Sequence, residues 1–347
     1  MTASIHDFYE IDLDRICSQL RDKEASRVLL ELPDGLKHFS AQLAREIAEK
    51  CGCQVYIRAG HVYGACDMGY REAELVGATH IIHLGHTEYP RSLYTHVSGA
   101  RVKVIYEPVK SRLTISQAMV GRTIDLLKIR NVKRVGLLAT VQHAHLLGGL
   151  AHMLEEGGVK PVIGRPAFPE SVPGQVLGCE YSAALGLADR VDGFVIVSGG
   201  AFHSIGVVLA TGKPTIQLDP YRRDAVDMTA EAYRVLRQRY GVILKAMDAE
   251  GWAIILGSKS GQLRLSLVKQ LEGLIEGRGH RYYRFVVDQL DTDVLRNIDS
   301  TEIDAFIVTS CPRLPIDDLY AYHKPVLTPG EARMVLTDSL DKYLFPW

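Results

Sequence analysis

Short apolar runs alternate along this chain with stretches in which apolar residues recur every three or four positions. Val28-Leu29-Leu30-Glu31-Leu32, Val135-Gly136-Leu137-Leu138-Ala139 and Ala253-Ile254-Ile255-Leu256 predict strands. Each is followed by a loop and an amphipathic helix. The first helix carries Leu36, Phe39, Leu43 and Ile47. The second carries Leu146, Leu150, Met153 and Leu154 and is stopped by Gly157-Gly158. The third carries Leu263, Leu267, Leu271 and Leu274 and is stopped by Gly277. With Val28, Val135 and Ile254 as markers, the pattern repeats with a period of roughly 115 residues.

The units continue in the same order. A second strand follows each helix (Gln54 to Ile57, Pro161 to Ile163, Tyr282 to Val287), then a third (His80 to Leu84, Gly193 to Val197, Ala305 to Val308). A fourth runs into proline each time, in Val104 to Pro108, Thr215 to Pro220 and Pro325 to Pro329. Continuous apolar strands alternating with helices indicate parallel sheets covered on both faces. The expected architecture is α/β: an internal triplication into three similar small domains over residues 1–110, 111–221 and 222–347, each with about four parallel strands flanked by helices.

Composition narrows the function classes. The chain has 347 residues, 47% of them hydrophobic, and 40 Lys+Arg against 41 Asp+Glu give a formal charge of −1. Those values exclude a disordered or collagen-like chain and give no overall electrostatic footprint for direct nucleic-acid binding. No run approaches the roughly 18 apolar residues of a membrane span, and the N-terminus lacks the layout of a signal peptide. A cytoplasmic protein with reduced cysteines is the expectation.

Ligands of open parallel sheets bind beyond the carboxyl ends of the strands. The first-strand loops there read Pro33-Asp34-Gly35, Thr140-Val141-Gln142-His143 and Gly257-Ser258-Lys259-Ser260-Gly261-Gln262. None is a dinucleotide fingerprint or a P-loop; tight turns and helix caps explain them as well as an anion site does. Of the six cysteines, Cys17 reads as a buried small hydrophobe. Cys51 and Cys53, with His61 and Cys66, have the donor types for zinc but lack a second ligand pair. Cys66, Cys179 and Cys311 fall one per repeat, each in or beside a Gly- or Pro-containing loop. Cys311 is out of register, since it follows a third strand whereas the other two lie between second and third strands. Spacing leaves two readings: three unrelated loop cysteines, or three thiolates converging on a soft-metal centre with one coordination position open.

Taken together and in order, Pro33-Asp34-Gly35, Tyr63-Gly64-Ala65-Cys66-Asp67, Thr140-Val141-Gln142-His143, Gly174 to Cys179, Ser198-Gly199-Gly200-Ala201-Phe202-His203 and Gly257 to Gln262 resemble the diphthamide biosynthesis family in its archaeal-type form. The resemblance covers nearly the whole chain. It implies a 3-amino-3-carboxypropyl transferase in which Cys66, Cys179 and Cys311 hold a 4Fe–4S cluster with S-adenosylmethionine at the fourth iron. The larger radical S-adenosylmethionine superfamily carries a C-x3-C-x2-C run, which is absent here. The resemblance further implies cleavage of the sulfur–Cγ bond and transfer to imidazole C2 of a histidine in translation elongation factor 2, by a homodimer served by an electron donor that the sequence does not identify. Ser258, Lys259, Gly261 and Gln262, with Pro33, Asp34 and Gly35, are the candidates for holding S-adenosylmethionine; His143 and His203 are candidates for positioning the incoming histidine. An exposed loop lysine, turn or cap residues, and structural hydrogen bonding are the plain alternatives for Lys259, Asp34 and Asp219, and the two histidines. Two other functions stay open: a non-catalytic, cluster-bearing partner subunit, or a zinc-dependent or nucleotide-binding α/β enzyme.

Overall fold

A computed structural model describes residues 4–21, 26–90 and 102–347. In chain order the elements are β1 (Tyr9–Glu10), α1 (Leu13–Arg21), β2 (Arg27–Glu31), α2 (Ser40–Cys51), β3 (Gln54–Ile57), α3 (Tyr70–Leu75), β4 (His80–Leu84), β5 (Lys103–Glu107) and β6 (Lys110–Ser111). The middle of the chain supplies α4 (Gln117–Ile129), β7 (Arg134–Ala139), α5 (Leu147–Glu156), β8 (Lys160–Ile163), α6 (Ser182–Leu185), β9 (Gly193–Val197), α7 (Phe202–Thr211), β10 (Thr215–Asp219) and β11 (Asp224–Asp227). The last part supplies α8 (Thr229–Lys245), β12 (Gly251–Gly257), α9 (Leu265–Gly277), β13 (Arg281–Val287), α10 (Thr292–Ile298), β14 (Ala305–Val308), β15 (Val326–Leu327) and α11 (Pro329–Leu336).

The predicted strands assemble into three sheets, ordered β3-β2-β4-β5, β8-β7-β9-β10-β11 and β13-β12-β14-β15. Each therefore has its second strand at one edge, then the first, third and fourth. All pairings are parallel except β10–β11. The chain crosses in opposite directions from the first strand of each unit, which opens a crevice at the carboxyl ends of the central strands.

Alternation along the central strands divides the core. On β2, Val28 and Leu30 face α1 and α2 (Ile16, Leu20, Leu43, Ile47), while Leu29 faces the α3 side with Ala73 and Ile81. On β7, Val135, Leu137 and Ala139 meet Leu147, Leu150 and Leu154, and Leu138 meets Phe194 and Val207. On β12, Trp252, Ile254 and Leu256 meet Val268, Leu271 and Ile275, and Ala253 and Ile255 meet Leu295 and Phe306. A strand buried on both faces must be apolar at every position, which is why the sequence shows continuous runs rather than alternation.

The structure adds two features and corrects one expectation. The second sheet runs on past residue 221, because β11 adds antiparallel to β10 through residue 227. A small antiparallel pair, β1 with β6, ties the N-terminal segment to the start of the second unit, and Tyr9 Oη lies 3.3 Å from Tyr221 Oη. Cys17 is buried, but it is not a free thiol: it is disulfide-bonded to Cys51 and staples α1 to α2. That bond also removes Cys51 from the zinc set considered with Cys53, His61 and Cys66.

Candidate active site

Each unit presents one of the three candidate cysteines on a loop built by its own strands. After β3, Arg58 donates to the Asp67 backbone oxygen at 2.8 Å and pairs with its carboxylate at 3.0 Å, and Glu31 at the end of β2 accepts from Gly69 N at 2.6 Å. These two anchors hold the Cys66 loop from both sides. In the second unit Val176 N donates to Ala139 O, and Leu177 and Glu180 exchange backbone hydrogen bonds around Gly178-Cys179. Cys311 directly follows β14, where Thr309 Oγ1 donates to Ile255 O at 3.0 Å and Leu314 N donates to the Cys311 oxygen at 3.3 Å.

The units lock together through these loops. Gly261 N donates to the Cys66 oxygen at 2.8 Å, and a Cβ at Gly261 would lie 2.5 Å from Cys66 Cα, so no larger residue fits without moving the Cys66 loop. The Gln262 amide lies 3.7 Å from Cys66 Sγ, and Met68 N donates to Ser260 Oγ. Between the first and second units, Gln175 donates to Thr87 Oγ1 and Tyr89 Oη lies 3.3 Å from Cys179 Sγ. Between the second and third, the Arg313 guanidinium lies 4.4 Å over the Phe202 ring.

Cys66, Cys179 and Cys311 are each partly buried, and Tyr89 with Arg264 links Cys179 to the segment whose Gln262 meets Cys66. Burial, then the charges of Cys179 and Cys311, push the Cys66 thiol up to about 12. Burial and the charge of Cys179 push Cys311 up to about 11. Burial raises Cys179 too, against the opposing pull of Arg264 and the Tyr89 hydroxyl. The three therefore stay protonated near neutrality until a cationic group arrives, and binding such a group releases their protons. Cys53, also free, is buried beside the first core instead. Among the described residues, no three His, Cys, Asp or Glu are placed to hold a single metal ion. A donor set of three free thiols, one from each unit, fits a polynuclear iron–sulfur group with one open position better than a closed four-ligand zinc site.

The other predicted residues divide. Lys259 is buried rather than exposed, held between Asp67 at 3.5 Å and Asp288 at 3.4 Å, and Ser258 Oγ donates to Asp288 at 3.3 Å. Lys259, Gly261 and Gln262 thus lie against the Cys66 loop. Pro33 abuts Gly85, and Gly35 has open space around it. Asp34 fastens loops: it pairs with Lys37 at 2.6 Å and His61 at 2.5 Å, and these hydrogen bonds outweigh its burial and hold its carboxyl at about 2. His203, at the start of α7, packs edge-on against Phe202, and the Arg313 guanidinium, two residues after Cys311, lies over that same ring. His143 lies instead under Tyr221, with ring centroids 5.4 Å apart and its Nδ1 buried without a partner.

Sequence reasoning passed over several residues that meet here. Arg264 donates to Tyr89 Oη at 2.6 Å and lies 3.8 Å over the Trp347 ring, and Trp347 Nε1 donates to the Cys179 oxygen at 2.9 Å. A buried chain runs from Glu31 to His83 Nδ1 (2.8 Å) and from His83 Nε2 to His86 Nδ1 (3.0 Å), toward Gly64. The signals were thin: Arg264 follows Gln262 by two positions, and His83 and His86 flank the end of a strand.

Burial depresses His86 to about 3, and both His143 and His203 to about 4, from an ordinary 6.5. All three are neutral at physiological pH. Below pH 6.5 the unfolded chain binds protons at these positions and the folded chain does not. Stability is therefore fully present above that pH and falls as pH drops toward 4, by at most about 1.4 kcal/mol per unit for each histidine. Urea denaturation at neutral pH and at about pH 5 should show a clear drop in midpoint. An unchanged midpoint would contradict the burial of these rings.

Residues 32–344 match the family model described as "Putative diphthamide synthesis protein". The chain is 34% identical over 328 residues to 2-(3-amino-3-carboxypropyl)histidine synthase of Pyrococcus horikoshii, covering 94% of this chain and 91% of that one. It is 27% identical to subunit 1 of the corresponding synthase of Eremothecium gossypii (94% of this chain, 75% of that) and 25% identical to subunit 1 of the human one (95% and 72%). A crystal structure of Dph2 from Pyrococcus horikoshii with a 4Fe–4S cluster superimposes with a TM-score of 0.84 at 33% identity, covering 98% of this chain and 94% of that one.

Proposed function

The chain belongs to the diphthamide synthesis family, as a 2-(3-amino-3-carboxypropyl)histidine synthase, and we propose that Cys66, Cys179 and Cys311 hold a 4Fe–4S cluster whose fourth iron takes S-adenosylmethionine. This reading is supported by the partly buried placement of Cys66, Cys179 and Cys311 beside residues that cross between units: the Gln262 amide at Cys66, and the Tyr89 hydroxyl with Arg264 at Cys179. When bound, such a cluster supplies a low-potential electron able to cleave the sulfur–Cγ bond of a sulfonium, leaving methylthioadenosine. The 3-amino-3-carboxypropyl group is then delivered to imidazole C2 of a histidine in translation elongation factor 2.

The protein's own part is orientation and exclusion of water. Which of three sulfur–carbon bonds breaks depends on which carbon faces the cluster. Lys259 and Gln262, against the Cys66 loop, suit a methionine carboxylate and amine. An incoming carboxylate exchanges with the exposed Asp288 for the Lys259 ammonium, while Asp67 keeps that ammonium in place. Ser258 and the Pro33-Asp34-Gly35 turn lie on the neighbouring loops, Asp34 as a fastener. His203, neutral, presents a ring nitrogen to orient an incoming imidazole without charge repulsion, whereas the neutral His143 packs against Tyr221. Imidazole C2 is a poor site for polar alkylation, so a radical route suits this acceptor. We place the reaction in a cytoplasmic homodimer served by a separate electron donor.

The test combines the purified chain, a reductant, S-adenosylmethionine labelled in the aminocarboxypropyl group, and elongation factor 2 under anaerobic conditions. Label should pass to the factor with no second subunit present. Transfer that needs a second, different chain would make this protein a partner subunit instead.

A further inference from the structure

The surroundings of Cys179 differ from those of the other two cysteines. Cys66 Sγ has the neutral Gln262 amide at 3.7 Å. Cys179 has the Tyr89 hydroxyl at 3.3 Å, and that hydroxyl has the Arg264 guanidinium at 2.6 Å. An arginine can only donate, so the phenol oxygen accepts from Arg264. Its own proton is then available to the sulfur, and a cation on the oxygen side makes that proton a stronger donor.

Each member is held in place. Arg264 is buried and stacked on the Trp347 ring at 3.8 Å, and the same indole donates to the Cys179 backbone oxygen at 2.9 Å. Tyr89 is buried as well. The first unit supplies the tyrosine, the second the cysteine, and the third the arginine. Trp347 closes the group.

We infer that Arg264 and Tyr89 form a charge-assisted hydrogen-bond relay onto the Cys179 sulfur, which raises the reduction potential of an iron–sulfur group held there and sets Cys179 apart from Cys66 and Cys311. The inference rests on the proposed ligand role of the three cysteines. Reduction adds negative charge that spreads onto the ligating sulfurs, so a donor aimed at one of them favours the reduced state. Burial of the site acts in the opposite direction. The relay keeps the reduced state within reach of a cellular electron donor despite that burial, and Trp347 positions both ends.

The test is an anaerobic redox titration of the cluster-loaded protein and of its Tyr89→Phe and Arg264→Gln variants, followed by absorbance, with iron counted in each. Both variants should keep their iron and shift to more negative midpoint potentials. The double variant should shift by less than the sum, because the two groups act in series. A purely structural role would lower iron content or thermal stability and leave the potential of the remaining cluster unmoved. Tyr89→Phe removes one oxygen atom, so it remains informative if Arg264→Gln does not fold. An unchanged potential in loaded Tyr89→Phe overturns the relay, including the case in which Arg264→Gln alone shifts. Wild-type protein that binds no cluster at all overturns the ligand assignment and the relay together.

Discussion

Alanine at Cys66, Cys179 and Cys311 together is expected to abolish iron binding and aminocarboxypropyl transfer, and each single replacement to reduce transfer at least about a hundredfold, since even outer-shell changes at metal sites cost 10- to 100-fold. The reason lies in how the three are presented. Each sulfur comes from a different unit, and Cys53, the fourth free thiol, packs in the first core and cannot stand in for a lost ligand. Wild-type protein purified without oxygen should be brown and bleach in air, and the triple variant should be colourless. Cys53→Ala should keep its iron. Cys17→Ala should keep it as well, although opening a disulfide that spans 34 residues costs about 2–4 kcal/mol of stability. A colourless, iron-free wild type that still transfers the group would contradict the assignment.

The second large effect concerns stability. Arg239 on α8 is almost wholly buried. It donates to both carboxylate oxygens of Glu331 at 2.8 and 2.7 Å, and to the backbone oxygens of Pro315 and Val326, both at 2.7 Å. Glu331 in turn closes the capping box of α11 with Thr328 and accepts from Tyr343 at 2.7 Å. One guanidinium thus joins α8, β15, α11 and the segment that follows Cys311. Arg239→Met leaves a buried carboxylate without its cation and should cost about 3–5 kcal/mol. Replacing both partners by apolar residues should recover part of that, because the unpaired charge is the larger penalty. Denaturant unfolding of the single and double variants measures both numbers. A loss below about 1 kcal/mol in the single variant would mean that the pair is not buried as described.

Much of the architecture could be read from the chain because its central strands are covered on both faces. Gln54–Ile57, His80–Leu84, Gly193–Val197 and Ala305–Val308 have the same bounds in sequence and structure. Asp224-Ala-Val-Asp227 escaped notice because a four-residue edge strand flanked by acids has no continuous apolar run. β1 and β6 are two residues each and owe their existence to tertiary pairing. The Cys17–Cys51 bond was hidden by the expectation of reducing surroundings, and nothing in the spacing says that two helices bring those positions together. At the site, the three cysteines stood out by recurrence. The order of strands in each sheet then explains the displaced third one: loops after the second and third strands both open at the carboxyl end, so Cys311 can face the same region as Cys66 and Cys179. Lys259 looked like a surface loop residue because its partner Asp67 is far away in the sequence. Tyr89, Arg264 and Trp347 could not be read at all, since a tyrosine, an arginine and a terminal tryptophan acquire meaning only when three units fold against one another.

The central claim is that three sulfurs from three units hold one iron–sulfur cluster and leave a single iron open. The most direct measurement is the Mössbauer spectrum of anaerobically prepared protein enriched in iron-57, before and after addition of S-adenosylmethionine. One iron in four should change its signal on addition while the other three stay as they were. Four irons that respond alike, or stoichiometric zinc with no iron in an active preparation, would contradict the account.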